Sequence, residues 1–99
     1  MRPEEFKTND IDLSAAIMTA TDIAPDIDTE NRDNGFTLAE FSFPNTDPVQ
    51  KIVLGYASGN LSLLVHRFAK NRAWLFRRMR KAIDSGKRLT APIKGVRQP

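Results

Sequence analysis

The chain has 99 residues, no cysteine and a formal net charge of +3 at neutral pH. This length gives one domain that can bury a core without cross-links, and the lack of cysteine excludes disulfides, thiolate metal ligands and cysteine nucleophiles. Its apolar runs are far shorter than the roughly 18 residues of a membrane-spanning helix, and its acidic N-terminus lacks a secretion signal. We therefore expect a cytoplasmic protein without membrane contact.

The charge is distributed unevenly along the sequence. Residues 1–50 contain 11 acidic and three basic residues, whereas residues 51–99 contain 12 basic residues and one acidic residue, Asp84. No Asp or Glu occurs from residue 52 to residue 83. Such an asymmetry between the halves of a chain suggests an anionic partner, and it names no reaction.

The N-terminal region is predicted to form a loose lead-in followed by one short helix. Residues 1–8 carry no periodic pattern, and we expect them to be loosely held. Apolar residues cluster at 11–18, directly after a Thr-Asn-Asp run at 8–10 that offers three residues suited to cap a helix. Because positions 11, 13 and 15 also alternate, a strand is the alternative interpretation.

Residues 23–43 have the pattern of a β-hairpin. Apolar and acidic residues alternate over 23–30, and Pro25, which has no N–H to donate, favours an edge position. The following Asn34-Gly35 pair suits the positive φ angles of a tight turn. The segment 36–43 is the clearest strand, with one face marked by Ala39, Phe41 and Phe43.

Two helices are predicted after the hairpin. Asp47 and Pro48 fit the N-cap and first helical position, and Gly59 fits the end of that helix. The second helix is expected to be capped by Asn60 or Ser62, to run to about residue 83, and to end at Ser85-Gly86. Residues 1–85 would form the domain, and residues 86–99 a flexible basic tail.

The long helix is predicted to be amphipathic, with a core stripe opposite a basic face. At 100° per residue, the core stripe contains Leu61, Leu64, Val65, Phe68, Leu75, Phe76, Met79, Ala82 and Ile83. The opposite side, which we call the basic face, contains Arg67, Lys70, Trp74, Arg77, Arg78 and Lys81.

Two explanations of the basic face remain open. Basic side chains neutralise phosphates and an exposed indole can stack on a nucleobase, so the first explanation is a nucleic-acid-binding face. The second is a protein-interaction face that docks on an acidic partner, or on a second copy of the chain in a homodimer. A solvated helix usually mixes charges to gain i,i+4 pairs, and this helix does not.

Other polar residues give weaker signals. Arg72 falls within the core stripe and would need a carboxylate if buried; Glu40 is the predicted partner. His66 is the sole histidine, which argues against a zinc site or a catalytic triad. The Asp-x-Asp pairs at 10–12 and 26–28 could hold a cation, but solvated strand edges show the same spacing. We therefore predict no catalysis, no cofactor and no metal site.

The order of several segments resembles a small domain-of-unknown-function family of bacteria, phages and mobile elements. The resemblance covers about residues 5–83 and rests on the segments 6–10 (FKTND), 13–18, 41–43 (FSF), 47–48 (DP), 56–59 (YASG) and 62–68. Thr21-Asp22 stand where that family has a glycine. The resemblance implies a small mixed fold in a cytoplasmic setting, and it favours nucleic acid through the association with mobile elements. It transfers no catalytic residue.

The sequence therefore predicts an α+β domain: a short helix, a β-hairpin and two further helices, the last one long. A two-stranded sheet is marginally stable by itself, so a third strand from residues 11–18 or from a partner chain is expected to complete it.

Overall fold

The computed structural model describes residues 4–31, 35, 37–86 and 88–90. Within them the chain forms, in order, β1 (Glu5–Thr8), α1 (Ile11–Thr21), β2 (Asp26–Asn31), β3 (Thr37–Pro44), α2 (Asp47–Ser58) and α3 (Val65–Ser85). This is an α+β fold with a long last helix, as predicted. None of the described helices has the length and apolar character needed to cross a lipid bilayer.

The sheet has three antiparallel strands in the order β1-β3-β2. The predicted hairpin is confirmed, with Ile27 opposite Phe41, and β2 is an edge strand that begins directly after Pro25. Gly35 has a positive φ of 86°, whereas residues 32–34 and 36 of the predicted turn and strand lie outside the described residues.

The third strand comes from residues 5–8 and not from residues 11–18. Phe6 pairs with Phe43 in the β1–β3 register and packs against the core, so the expectation of a loose lead-in is wrong for this segment. Residues 11–21 form a helix because Asp10 caps them: its side chain accepts from the backbone N–H groups of Asp12 and Leu13 at 2.9 and 3.1 Å. The strand alternative for this segment is thereby excluded.

The core lies between one face of the sheet and the helices. Its fully buried side chains come from α1, β2, β3, α2 and α3, and the largest are Ile17, Ile27, Phe41, Phe43, Val49 and Leu75. Helix α3 packs on α1 and on strands β2 and β3. The opposite face of the sheet carries polar residues such as Asp28 and Glu40, which face each other across the β2–β3 register.

Helix α2 starts one residue earlier than the sequence pattern predicted, and α3 starts later. The N-cap of α2 is Thr46 and not Asp47, while Gly59 ends the helix with a φ of 75°, as expected. The N-cap of α3 is Leu64, not Asn60 or Ser62. Residues 60–64 belong to no helix or strand; positions 61 and 63 are partly buried, and positions 62 and 64 are exposed.

The start of the C-terminal segment is held against the sheet. Leu89 pairs with Ile27 through two backbone hydrogen bonds of 2.7 and 2.8 Å. Arg88 donates to Asp26 and Asp28, both at 2.8 Å, and the hydrogen bond to Asp26 is the main reason that its pKa is raised. Residues 88–90 are therefore not a free tail. Residue 87 and residues 91–99 lie outside the described part of the chain.

Candidate nucleic-acid interface on the long helix

Helix α3 packs on the core through most of the predicted core stripe, with Phe68, Met79 and Ile83 partly buried. The stripe residues Leu64, Val65 and Phe76 are instead exposed. Leu75 and Ala82 are its fully buried residues, and they lie on a line rotated by about 45° from the centre of the predicted core stripe, at about 100° per residue. The rotation is towards the basic face. It occurs because α3 lies across both α1 and the sheet, so two surfaces determine which side is covered.

Three of the six residues of the basic face contact other parts of the same molecule. Arg67 forms an ion pair with Asp22 at 3.1 Å. Trp74 is partly buried and packs against the core. The guanidinium of Arg78 lies 5.0 Å from the centre of the Trp74 ring and donates to the backbone oxygen of Thr90 at 2.9 Å. Trp74 and Arg78 thus connect α3 with the core and the C-terminal segment, whereas Arg67 connects α3 with the end of α1.

The other three residues are exposed and are joined by a fourth that the sequence analysis left out. Lys70, Arg77, Arg80 and Lys81 all face solvent, and we call them the outward stripe. None has an ion-pair or hydrogen-bond partner among the described residues. Arg80 was missed because it lies between the predicted core stripe and the basic face, about 40° from Phe76 and about 60° from Arg77 at about 100° per residue.

Phe76 replaces Trp74 as the aromatic residue next to the outward stripe. It was predicted to belong to the core, yet 42% of its surface is exposed. Together with Met79, Arg80, Ile83 and Asp84 it lines a depression of about 270 Å³. The expectation of an exposed indole within a basic surface is therefore wrong for Trp74, and a phenyl ring beside Arg80 takes that place.

Arg72 is neither buried nor bound to Glu40. Its Nε donates to Asp12 at 2.5 Å, and the two side chains are 45% and 49% exposed. The partner does come from the acidic half of the chain, as expected. Glu40 cannot reach Arg72, because successive side chains of β3 point to opposite faces of the sheet. Phe41 points into the core, so Glu40 lies on the outer face of the sheet.

The remaining acidic signals have structural roles. Asp10 caps α1 and accepts from Tyr56 Oη at 3.2 Å. Burial and then the charge of Asp10 raise the pKa of that tyrosine. Asp26 and Asp28 bind Arg88, and the described residues hold no group of three His, Cys, Asp or Glu side chains suited to a metal ion. His66 is exposed near the start of α3.

The fold and this surface define a small α+β domain whose longest helix presents unpaired cations to solvent. Comparisons with protein-family models, with curated proteins and with solved structures found no match to this chain. The resemblance to a domain-of-unknown-function family therefore stays a prediction, and the surface has to be interpreted from its own chemistry.

Proposed function

We propose that this protein is a non-enzymatic nucleic-acid-binding domain that contacts the phosphate backbone through the outward stripe of α3. The observation that carries the proposal is that four cations on one side of a single helix face solvent and form no ion pair with a described carboxylate. Asp84 lies beside Arg80 on the same helix but makes no ion pair with it. Phosphates neutralise such side chains and release counterions, which favours binding. The proposal includes a cytoplasmic setting and assigns no catalytic step, cofactor or metal.

The spacing of the stripe suits an extended polyanion. Lys70 and Lys81 are eleven residues apart, which corresponds to about 16 Å along a helix. A duplex presents a negative charge about every 1.7 Å along its axis, so a surface of this length spans several phosphates. Because α3 packs on α1 and on the sheet, the four cations are carried by a supported helix and not by a loop.

The repulsion between neighbouring cations on α3 also argues for a bound partner. Arg77 and Lys81 are four residues apart on α3, and like charges at this spacing destabilise a helix. The chain does supply carboxylates to other cations, namely Arg67, Arg72 and Arg88. A bound polyanion would remove the repulsion within the outward stripe.

Phe76 extends the proposal to unpaired bases. Its ring is exposed beside Arg80, and a nucleobase can stack on such a ring when it is not paired. Trp74 takes no part in this version of the site, since the core and Arg78 already occupy its faces.

A protein partner is the alternative function, and the same exposed ring is the observation that favours it. Phe76 with its flanking Met79 and Ile83 adds an apolar contact to the cations, as an acidic protein with an apolar anchor would require. Such a partner would bind through specific apolar contacts as well as charge, so its affinity would depend less on salt than that of a nucleic acid.

The test is a titration of labelled single-stranded and duplex DNA and RNA, followed by fluorescence anisotropy at several salt concentrations. Four phosphate contacts predict a slope of about −3.6 for log affinity against log salt on B-form DNA. The double variant Arg77→Glu/Arg80→Glu should bind at least tenfold more weakly and melt close to the wild type, because both side chains are exposed.

Lys51→Glu provides the matched control for each single reversal, Arg77→Glu or Arg80→Glu. Lys51 is equally exposed but lies on α2, so the same change in net charge is made away from the outward stripe. Equal weakening by all three reversals would mean that only net charge matters, which contradicts a defined site. Absence of binding to all four ligands at low salt would refute nucleic acid and favour the acidic protein partner.

A further inference from the structure

Asp84 is an acidic residue that lies among the cations of the outward stripe. It is the one acidic residue among residues 51–99, and it is exposed in the last turn of α3. A carboxylate near the C-terminal end of a helix opposes the helix dipole, and an acid four residues after a base, as Asp84 is after Arg80, has the weaker order of an i,i+4 pair. Asp84 forms no ion pair with a described cation. Helix stability therefore does not explain an acid at this position.

Two neighbouring depressions on the surface of α3 share Asp84. The first, of about 270 Å³, contains the exposed ring of Phe76. The second, of about 580 Å³, is open and is lined by the cations Arg77 and Lys81. Arg80 and Asp84 line both depressions. An aromatic ring and a group of cations thus lie side by side, with one carboxylate between them.

The order of these side chains around α3 is consistent with the position of Asp84 between the ring and the cations. Measured around the helix axis from Phe76, Arg80 lies at about 40°, Asp84 at about 80°, Arg77 at about 100° and Lys81 at about 140°. Helical side chains lean towards the N-terminus of their helix. Asp84 comes last of the five in the sequence, so its side chain leans back towards Arg80 and Phe76.

We propose that the two depressions bind one unpaired nucleotide of a single strand, and that Asp84 selects a base that carries an exocyclic amino group. This inference rests on the proposed nucleic-acid binding and adds which strands are preferred. The base stacks on Phe76, its phosphate lies against Arg77 and Lys81, and Asp84 accepts a hydrogen bond from the edge of the base. Charge identifies the occupant, because cations without an ion pair to a described carboxylate favour an anion, and the ring beside them suits a base.

The carboxylate of Asp84 determines which bases fit. An ionised carboxylate accepts hydrogen bonds and donates none. The exocyclic amino group of cytosine donates one, and Asp and Glu side chains accept from that group in nucleic-acid complexes. Uracil has a carbonyl oxygen at the same ring position, and this oxygen would face the negative charge of Asp84. Cytosine should therefore bind better than uracil, since rings of the same size stack equally on Phe76.

The test compares the binding of oligodeoxycytidine and oligodeoxyuridine of about 15 nucleotides, by fluorescence anisotropy at neutral pH and low salt. Both strands carry the same phosphates and lack the 2′-hydroxyl group, so charge and sugar cannot produce a difference between them. We expect the wild type to bind the cytidine strand at least about fivefold more tightly. Asp84→Asn should reduce this ratio to about one, because an amide can also donate to the carbonyl oxygen of uracil.

Asp84→Asn also separates base selection from a general effect of charge. Removal of a negative charge beside the outward stripe strengthens the binding of any polyanion, so base selection requires that the affinity for the uridine strand rise by the larger factor. Glu4→Gln is the matched control. Glu4 is likewise exposed but precedes β1, so the same change in net charge is made away from α3 and the wild-type ratio should remain. Both variants should melt close to the wild type, because both side chains are exposed.

The possible failures of base selection and of nucleic-acid binding are distinguishable. Equal affinities of the wild type for the two strands, or a ratio that Asp84→Asn leaves unchanged, would overturn base selection and leave phosphate binding by the outward stripe in place. A ratio that Glu4→Gln abolishes as well would assign the preference to net charge and overturn the role of Asp84. Absence of binding to both strands would overturn the proposed function together with this inference.

Discussion

Helix α3 contains two aromatic–arginine pairs of identical spacing, of which one is packed within the fold and the other is exposed to solvent. Trp74 and Arg78 are four residues apart, as are Phe76 and Arg80. The first pair is closed: the ring packs on the core, and the guanidinium lies over it and binds Thr90. The second pair is open to solvent. The local sequence therefore does not decide whether such a pair holds the fold together or is available to a ligand.

The difference follows from a displacement of two residues along one helix. Two residues correspond to about 200° around the axis, so the pairs must lie on nearly opposite sides of α3. The side that meets the sheet and the C-terminal segment becomes structural. The side that meets nothing in the described part of the chain keeps its charge exposed.

The largest expected difference concerns the two rings. Trp74→Ala should lower the free energy of unfolding by about 2 kcal/mol, less than for a fully buried ring because Trp74 is only partly covered. Phe76→Ala should change it by less than about 0.5 kcal/mol. Urea unfolding followed by circular dichroism measures both values.

Binding should rank the two rings in the opposite order. Phe76→Ala should weaken single-stranded ligands by about 1–3 kcal/mol, whereas duplex ligands should lose much less because a paired base offers no free face. If Trp74→Ala and Phe76→Ala lowered the free energy of unfolding equally, the orientation of α3 described above would be contradicted.

A smaller effect is expected for the two arginines. Arg78→Met removes the contact with the indole ring and the hydrogen bond to Thr90, and should cost about 1 kcal/mol of stability. Arg80→Met should leave stability unchanged and lower the magnitude of the salt slope of nucleic-acid binding by about 1. Thermal melts and the anisotropy titration provide the two measurements, and an unchanged slope for Arg80→Met would remove this residue from the proposed site.

The smallest expected effect is a pH dependence away from α3. Burial and the charge of Asp10 raise the pKa of Tyr56 above its value in the unfolded chain. The folded state therefore holds this proton more tightly, and the resulting stabilisation is complete below the unfolded pKa of about 10 and is lost as the pH rises above it. Tyr56→Phe should reduce the loss of stability above about pH 10, whereas an unchanged alkaline profile would contradict the shift.

The sequence by itself determined the elements whose signals are local. The alternation around Phe41, the positive φ of Gly35 and the helix end at Gly59 depend on backbone conformations that one or two residues impose. The separation of charge between the halves is likewise a property of the sequence alone.

Tertiary structure alone decided the pairing of β1, the start of α3 and the side that α3 buries. β1 has four residues and is held by hydrogen bonds to β3, which no local pattern encodes. No capping side chain marks the start of α3, because its N-cap is Leu64. The rotation of α3 follows from its simultaneous contact with α1 and the sheet: a helix with apolar residues over a wide arc buries whichever part its neighbours can cover. That choice made Trp74 a packing residue and left Arg80 and Phe76 on the surface.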